Sequence, residues 1–346
     1  MARKSRHQTV LDGKPGIYHC FQRCVRRAFL MGRDGYSGND YSHRRQWIAE
    51  RIQLLVRCFA IDVGFHASMS NHLHVVLRTL PRLARRMGKQ ELARRWLRLF
   101  PGKQVLDGNW IEPTQEQVEE LAKDKKKIAD VRKRLSDVSW FMRCLDEYVA
   151  RRANREDEMS GRFWQGRFGC RSLETEKELL VCGVYVDLNQ LRAGEDLTPQ
   201  TLHLTSLGCR IAARLEEENG RPRTADTWLS AFTLDPTFDE EAEIPSDSRD
   251  RPTEKGLLAM TFESYLQLLD EVRRATSEGE AAVSEKLTWF MEQLSITWNE
   301  MKKAARRYLE PCARKQAADT QDVKFANLAE LTALVSGSQP ATEPSG

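Results

Sequence analysis

Two histidines form the part of this chain that is best suited to metal chemistry. His72 and His74 are two positions apart in residues 72–78, which read as a β-strand. Side chains two apart on a strand point to the same face, so the two imidazoles stand side by side. Neutral imidazoles arranged in this way can hold a divalent metal ion. The pair could also be incidental, because two histidines alone do not define a metal site.

A second group of polar residues shares one face of a helix. Thr175 and Glu178 have the spacing of a capping box, which predicts that a helix begins there. Tyr185, Asn189 and Arg192 follow at spacings of four and three residues, next to the apolar stripe of the same helix. A phenol, an amide and a guanidinium on one face favour a functional site. Taken alone, such a tyrosine is more often a half-buried structural residue.

Both groups must be positioned by a mixed framework of strands and helices. Apolar periodicity predicts strands at 16–24, 61–69, 72–78 and 167–173, and helices at 42–59, 82–100, 115–155 and 175–192. A strand, a helix and a strand hairpin in this order are typical of ferredoxin-like domains. We therefore expect an α+β fold, in which a ferredoxin-like antiparallel sheet carries helices on one face.

Composition divides the chain into segments. Residues 1–210 form the predicted main domain, which contains a helical insertion at about 80–138. Residues 211–255 read as an acidic, partly disordered linker. A helical C-terminal extension is expected at 256–335, followed by a flexible tail at 336–346.

Charge is distributed unevenly along the chain. Residues 1–210 carry 38 Lys and Arg against 25 Asp and Glu, a net charge of +13, whereas residues 211–346 carry 16 against 25, a net charge of −9. A basic, Arg-rich domain suits a polyanionic partner such as nucleic acid. No run of about 18 apolar residues occurs, and none follows the basic N-terminus, so we expect a cytoplasmic protein without a membrane span.

The eight cysteines are scattered, and none forms a Cys-x-x-Cys pair. We expect reduced thiols that pack as small apolar side chains. A zinc site built from Cys20 and Cys24 is the alternative.

Three blocks of sequence together resemble a known enzyme family. They are residues 69–74 (Met-Ser-Asn-His-Leu-His), 161–168 (Gly-Arg-Phe-Trp-Gln-Gly-Arg-Phe) and 185–194 (Tyr-Val-Asp-Leu-Asn-Gln-Leu-Arg-Ala-Gly), within about residues 15–210. As a set they are similar to the HUH single-tyrosine nucleases, especially the insertion-sequence-200-like and REP-associated tyrosine transposases. Where the family usually has a proline after the asparagine, this chain has Gln190.

This resemblance implies an activity and a set of site residues. His72 and His74 match the metal-binding pair, Asn189 matches a third, amide ligand, and Tyr185 matches the nucleophile. The implied cofactor is Mg²⁺ or Mn²⁺, and the implied reaction cleaves and rejoins single-stranded hairpin DNA through a 5′-phosphotyrosine intermediate. Such a reaction serves DNA transposition or the mobilisation of repeat elements. The family includes dimers with shared active sites as well as monomers, so a homodimer stays open.

The expected DNA contacts are arginines that flank the first predicted strand or lie in the second and third blocks. In the second block, cations interleaved with aromatic rings suit a single strand. The expected DNA-binding residues are Arg23, Arg26, Arg27, Arg162, Trp164, Arg167 and Arg192. Trp164 and Phe168 could equally be core residues beneath a loop.

Two other functions fit parts of the sequence. A domesticated DNA-binding protein would keep the same fold without cutting, although the intact set of four site residues favours an enzyme. A zinc hydrolase would need a third histidine or carboxylate ligand, for which Asp62 and His66 on the preceding strand are available.

Overall fold

The structure is a computed structural model that describes residues 13–101, 112–192, 204–232, 250–253 and 256–277, without the side chains of 190–192 and 273–277. The strands in this part are β1 (Gly16–Arg23), β2 (Ile61–Ser68), β3 (His72–Thr79) and β4 (Gly169–Leu173). The helices are α1 (Arg44–Cys58), α2 (Pro81–Arg86), α3 (Lys89–Leu99), α4 (Gln115–Lys123), α5 (Lys125–Arg134), α6 (Val138–Glu156), α7 (Glu176–Arg192), α8 (Ser206–Glu218) and α9 (Phe262–Ser277).

The four strands form one antiparallel sheet in the order β2-β3-β1-β4. The expected α+β class and antiparallel sheet are therefore confirmed. Strand β3 is an inner strand, and its pairing with β1 sets Phe21 opposite His74 and Arg23 opposite His72. The histidine pair thus lies in the middle of the sheet, where its neighbours on both sides are fixed by backbone hydrogen bonds.

Helices pack on both faces of the sheet, not on one as expected. The alternate side chains Leu73, Val75 and Leu77 of β3 join a core with residues of α1 and α6. Val76, which alternation turns to the opposite face, joins a second core with residues of α7, α8 and α9. The second face is closed in part by residues after 210, which the sequence predicts to lie outside the main domain.

Residues 211–232, which the sequence assigns to the linker, include the second half of α8 and pack against the sheet. Ser230 N–H donates to Val63 O at 2.9 Å, and Leu229 forms an isolated parallel bridge with Val63. Trp228 is 3% exposed, so this segment is part of the packed fold. The acidic composition misleads here because the charges at the end of α8 face solvent while its other side is buried. Residues 233–249 and 254–255 of the predicted linker, the extension after residue 277 and the tail at 336–346 lie outside the described residues.

Two helices that the sequence predicts as continuous are divided. Residues 82–100 form α2 and α3, separated around Gly88, and residues 115–155 form α4, α5 and α6. Asp124 accepts a hydrogen bond from Lys127 N–H and Asp137 accepts one from Trp140 N–H, both at 2.9 Å. Both aspartates are therefore N-caps that begin new helices. The described part of the predicted insertion consists mainly of the four helices α2 to α5.

The seven described cysteines are free thiols, and all but Cys170 are buried. Among the described helices, none has the length and apolar character that crossing a membrane requires.

Candidate active site

Strand β3 presents His72 and His74 on the face of the sheet that α7 covers. Their ring centroids are 5.1 Å apart with the planes nearly perpendicular. His74 is 7% exposed and His72 is half-buried. The intervening Leu73 packs into the opposite core. Strand alternation thus produces the imidazole pair.

Helix α7, which carries the tyrosine, is fixed at its start and in its middle. Thr175 Oγ1 accepts a hydrogen bond from Glu178 N–H at 3.1 Å, and Glu178 Oε2 accepts one from Glu174 N–H at 2.7 Å. Further along, Gly183 lies against the Phe65 ring of β2, where an added Cβ would come within 2.4 Å of that ring. Glycine therefore allows the helix to approach the sheet closely.

A buried carboxylate ties α7 to the two helices that follow it. Asp187 accepts hydrogen bonds from Ser206 Oγ at 2.7 Å and from Tyr265 Oη at 2.8 Å. Burial raises the pKa of Asp187 to about 6, although the nearby Arg210 and these hydrogen bonds act in the opposite direction. The sequence patterns do not predict this anchor, because its partners follow 19 and 78 residues later in the chain.

The anchored helix brings two side chains to the histidine pair. Tyr185 Oη lies 3.4 Å from His74 Nε2, and Asn189 Nδ2 lies 3.4 Å from His72 Nε2. The Tyr185 and His74 rings meet edge to face, with centroids 5.2 Å apart. Four of the residues singled out in the sequence therefore meet in space, although more than 100 residues separate the strand from the helix.

The Nδ1 atoms of His72 and His74 also have hydrogen-bonding partners. His72 Nδ1 lies 2.6 Å from Asn71 Oδ1, an acceptor, so Nδ1 carries the proton and Nε2 keeps its lone pair. His74 Nδ1 lies 2.9 Å from His19 Nε2 of β1. With the same tautomer, His74 donates to His19 and keeps its own Nε2 lone pair. The sequence does not predict the role of His19, which depends on the register of β1 against β3.

The three imidazoles are neutral at neutral pH. Burial lowers the pKa of His72 to about 4, and the positive charge of Arg23 acts in the same direction. Burial and the neighbouring groups hold the pKa of His74 well below its usual range. Burial also lowers the pKa of His19 to about 3, with Arg171 contributing. Neutral imidazole is the form that coordinates metal ions.

The chemistry of these donors suits a divalent transition ion. Two imidazole nitrogens and an amide match Mn²⁺ more closely than Mg²⁺, which prefers oxygen ligands. No set of three His, Cys, Asp or Glu side chains is arranged as a metal site within the described ranges. The third protein donor would therefore be the amide of Asn189, whose oxygen faces His72 after a half-turn of the amide group.

Asp62 and His66 do not complete the pair as a zinc hydrolase would require. Ala67 is the register partner of His74, so the adjacent His66 projects to the other face, where its ring centroid is 5.1 Å from that of Trp228. Asp62 Oδ2 accepts hydrogen bonds from Arg78 Nε at 3.0 Å and from Arg78 Nη2 at 2.5 Å. Neither residue can therefore serve as the third ligand that the zinc-hydrolase alternative requires.

A cleft of about 510 Å³ opens beside the histidines. Its walls come from Phe21 to Arg23 of β1, from the histidines of β3 and from residues 165–167 with Gly169. Arg23 and Arg167, both predicted as DNA contacts, are among the lining residues.

The other predicted DNA-contacting arginines are either exposed or outside the described side chains. Arg26, Arg27 and Arg162 are exposed near the end of β1, where Val25 N–H donates to Phe163 O at 2.9 Å. The side chain of Arg192 lies outside the described part of the structure.

Trp164 is a core residue and not the DNA contact that the sequence predicts. It is 7% exposed, and its Nε1–H donates to Asp146 O at 2.9 Å. Phe168 is buried in the same core. A ring held in this way presents no open face for a base, so we do not keep Trp164 among the DNA-contacting residues.

Tyr185, Asn189 and the two histidines thus form a site that has a potential nucleophile, potential metal donors and an adjoining basic cleft. Comparison of the chain with protein-family models, with curated proteins and with solved structures gives no match.

Proposed function

We propose that this protein is a transposase-type enzyme that cuts and rejoins single-stranded hairpin DNA through Tyr185. The observation that carries the proposal is the 3.4 Å approach of Tyr185 Oη to His74 Nε2, together with that of Asn189 to His72. A tyrosine beside two neutral, outwardly hydrogen-bonded imidazoles is the arrangement expected of an HUH single-tyrosine nuclease on a ferredoxin-like domain.

The covalent step follows from the position of the phenol. Tyr185 Oη attacks the scissile phosphorus, its O–P bond forms while the P–O3′ bond breaks, and the phenol proton is given up. The leaving oxygen takes up a proton and becomes a free 3′-OH. The phosphodiester energy is retained in the 5′-phosphotyrosine bond, so a 3′-OH can reverse the step without ATP.

His72, His74 and Asn189 would hold Mn²⁺ or Mg²⁺, which when bound neutralises phosphate charge and stabilises the charge that develops on its oxygens. Neighbouring residues of the protein orient the two imidazoles of this site. The hydrogen bond from His72 Nδ1 to Asn71 Oδ1 and the contact of His74 Nδ1 with His19 fix the two imidazole rings. Both Nε2 atoms therefore face α7.

The charge around the site supports a nucleic-acid substrate. Arg23 and Arg167 line the cleft beside the histidines. Arg26, Arg27 and Arg162 are exposed near the end of β1. Phosphate contacts of this kind position a strand, whatever its base sequence.

The test is covalent capture of DNA. Full-length protein is incubated with Mn²⁺ and a hairpin oligonucleotide labelled at its 3′ end, and the products are separated on a denaturing gel. Wild type and the matched control Tyr148→Phe should both retain label on the protein, because a 5′-phosphotyrosine keeps the downstream fragment. Tyr185→Phe and wild type with EDTA should retain none.

Two results would contradict parts of the proposal. An adduct of normal yield in Tyr185→Phe would remove Tyr185 as the nucleophile. Wild-type protein that binds the hairpin tightly and forms no adduct with Mn²⁺ or Mg²⁺ would favour a DNA-binding protein that does not cut.

A further inference from the structure

We propose that the cleft between β1 and residues 165–169 binds the nucleotide on the 5′ side of the scissile phosphate, with its base unstacked from the strand. This inference rests on the proposed function and adds the polarity of the strand in the site. The cleft would hold the end that becomes the free 3′-OH.

The first argument is the position of the cleft relative to the tyrosine. The sheet order β2-β3-β1-β4 sets β3 between β2 and β1. Helix α7 packs mainly against β2, where Gly183 meets Phe65, and its Tyr185 ring lies 5.2 Å from the His74 ring and 6.1 Å from the His19 ring of β1. The cleft opens toward β1, and no described residue of α7 lines it. The phenol thus meets His74 from α7, whereas the cleft meets the histidine pair from the end of β1 and residues 165–169.

The second argument is the geometry of phosphoryl transfer. In an in-line displacement the attacking and leaving oxygens lie on opposite sides of phosphorus. With the phosphate at the histidine pair and Tyr185 attacking from α7, the leaving 3′ oxygen extends away from α7, on the side where the cleft opens. The nucleoside that carries this oxygen therefore enters the cleft.

The third argument is the chemistry of the walls. Phe21 is half-buried, is the register partner of His74 and supplies an aromatic ring. Gly169 leaves room for that ring, since a Cβ there would lie 2.2 Å from Phe21 Cζ. Arg23 and Arg167 supply positive charge on the same walls. An aromatic ring flanked by arginines suits one unpaired base and its phosphate.

The size of the cleft fits this occupant. A volume of about 510 Å³ is within the range of small-ligand sites, roughly 300 to 1,000 Å³. A single nucleotide fits within this volume. Binding of the leaving nucleotide would keep the 3′-OH close to the phosphotyrosine, which is what rejoining requires.

Gly166 allows the cleft to be filled without disturbing the protein. A Cβ at this position meets no atom within 4 Å, and Gly166 is exposed on the cleft wall. Gly166→Leu should therefore occupy the space of the base. Gly35→Leu is the matched control, because Gly35 is also exposed and its Cβ would also meet no atom within 4 Å.

The experiment combines this variant with abasic substrates. After the cut position is mapped, two hairpins are made with a single abasic nucleotide, one immediately 5′ and one immediately 3′ of the scissile phosphate. Affinity is measured by fluorescence anisotropy, and adduct yield is measured on denaturing gels. We expect the 5′ abasic hairpin and Gly166→Leu each to weaken binding by about 10-fold. Combined, they should cause little further loss, since each alone already abolishes the same contact between base and cleft.

The outcomes separate this inference from the proposed function. A larger loss with the 3′ abasic hairpin, or normal affinity and adduct yield in Gly166→Leu, would overturn the assignment of the cleft while the adduct itself still forms. Absence of any wild-type adduct would contradict the proposed function. In that case the ratio of hairpin affinities for Gly166→Leu and Gly35→Leu decides whether the cleft binds DNA, and equal affinities would overturn the inference.

Discussion

His19 Nε2 lies 2.9 Å from His74 Nδ1, so strand β1 contacts the side of the His74 ring opposite the Nε2 atom that faces Tyr185. The two rings are stacked, with centroids 5.1 Å apart. Groups that hold the outer nitrogen of a metal-binding histidine fix both its tautomer and its orientation. His19 is therefore a positioning residue for the proposed metal site.

We predict that His19→Ala lowers the affinity for Mn²⁺ by about 10- to 100-fold. His19→Gln, whose amide oxygen can accept from His74 Nδ1–H, should retain more of the affinity than His19→Ala. Titration calorimetry of the protein without DNA measures the effect. His66→Leu is the control, because His66 is equally buried but faces Trp228. Wild-type Mn²⁺ affinity in His19→Ala would show that the contact has no role in metal binding.

The link between Asp187 and Tyr265 predicts a loss of folding stability. Tyr265 is fully buried, and its hydroxyl donates to Asp187 Oδ2 at 2.8 Å. Tyr265→Phe should lower the free energy of unfolding by about 1–3 kcal/mol, because a buried carboxylate loses a donor. Urea denaturation measures the change. Tyr41→Phe, at a less buried hydroxyl, should change it by less than about 0.5 kcal/mol; equal effects in the two variants would contradict the anchoring role of Asp187.

Arg167 predicts a change in the salt dependence of DNA binding. Its side chain is exposed and lines the cleft beside the histidines. If it contacts one phosphate, Arg167→Ala should reduce the slope of log affinity against log salt by about 0.7. Arg151→Ala is the control, since Arg151 is exposed on α6 and pairs with Glu147. Anisotropy titrations across a salt series provide the slopes, and identical slopes for the two variants would contradict a phosphate contact at Arg167.

Buried His66 predicts how stability depends on pH. Burial lowers its pKa from 6.5 to about 3, with Arg210 contributing. Between these values the unfolded chain binds a proton that the folded protein does not, so stability falls as the pH drops below 6.5. For one group the slope approaches about 1.4 kcal/mol per pH unit. His66→Leu should reduce the slope by this amount in urea titrations with EDTA between pH 6.5 and 4.5. An unchanged slope would show that the pKa of His66 is not lowered in the folded protein.

Much of the candidate site can be predicted from local periodicity. The two-residue repeat of a strand sets His72 beside His74, and the helical repeat sets Tyr185 and Asn189 on one face. Both patterns depend only on neighbouring residues. The approach of α7 to β3 depends instead on tertiary packing, in which Gly183 of α7 lies against Phe65 of β2.

The residues that were not predicted act through distant partners. His19 becomes meaningful only when β1 pairs with β3, and Asp187 only when α8 and α9 supply their hydroxyls. Trp164 fitted both a core position and a stacking position, and its hydrogen bond to Asp146 O decided between them. The two helix breaks in 115–155 are different, because Asp124 and Asp137 are capping signals that the sequence does contain.

The most direct test of the central claim is to identify the residue that becomes linked to DNA. The adduct formed with Mn²⁺ is digested with trypsin and nuclease and analysed by mass spectrometry. Cleavage after Lys177 and Arg192 releases residues 178–192, in which Tyr185 is the only tyrosine. The account predicts a nucleotide phosphate on this peptide, located at Tyr185 by fragmentation. A nucleotide attached to any other peptide, with 178–192 recovered unmodified, would contradict it.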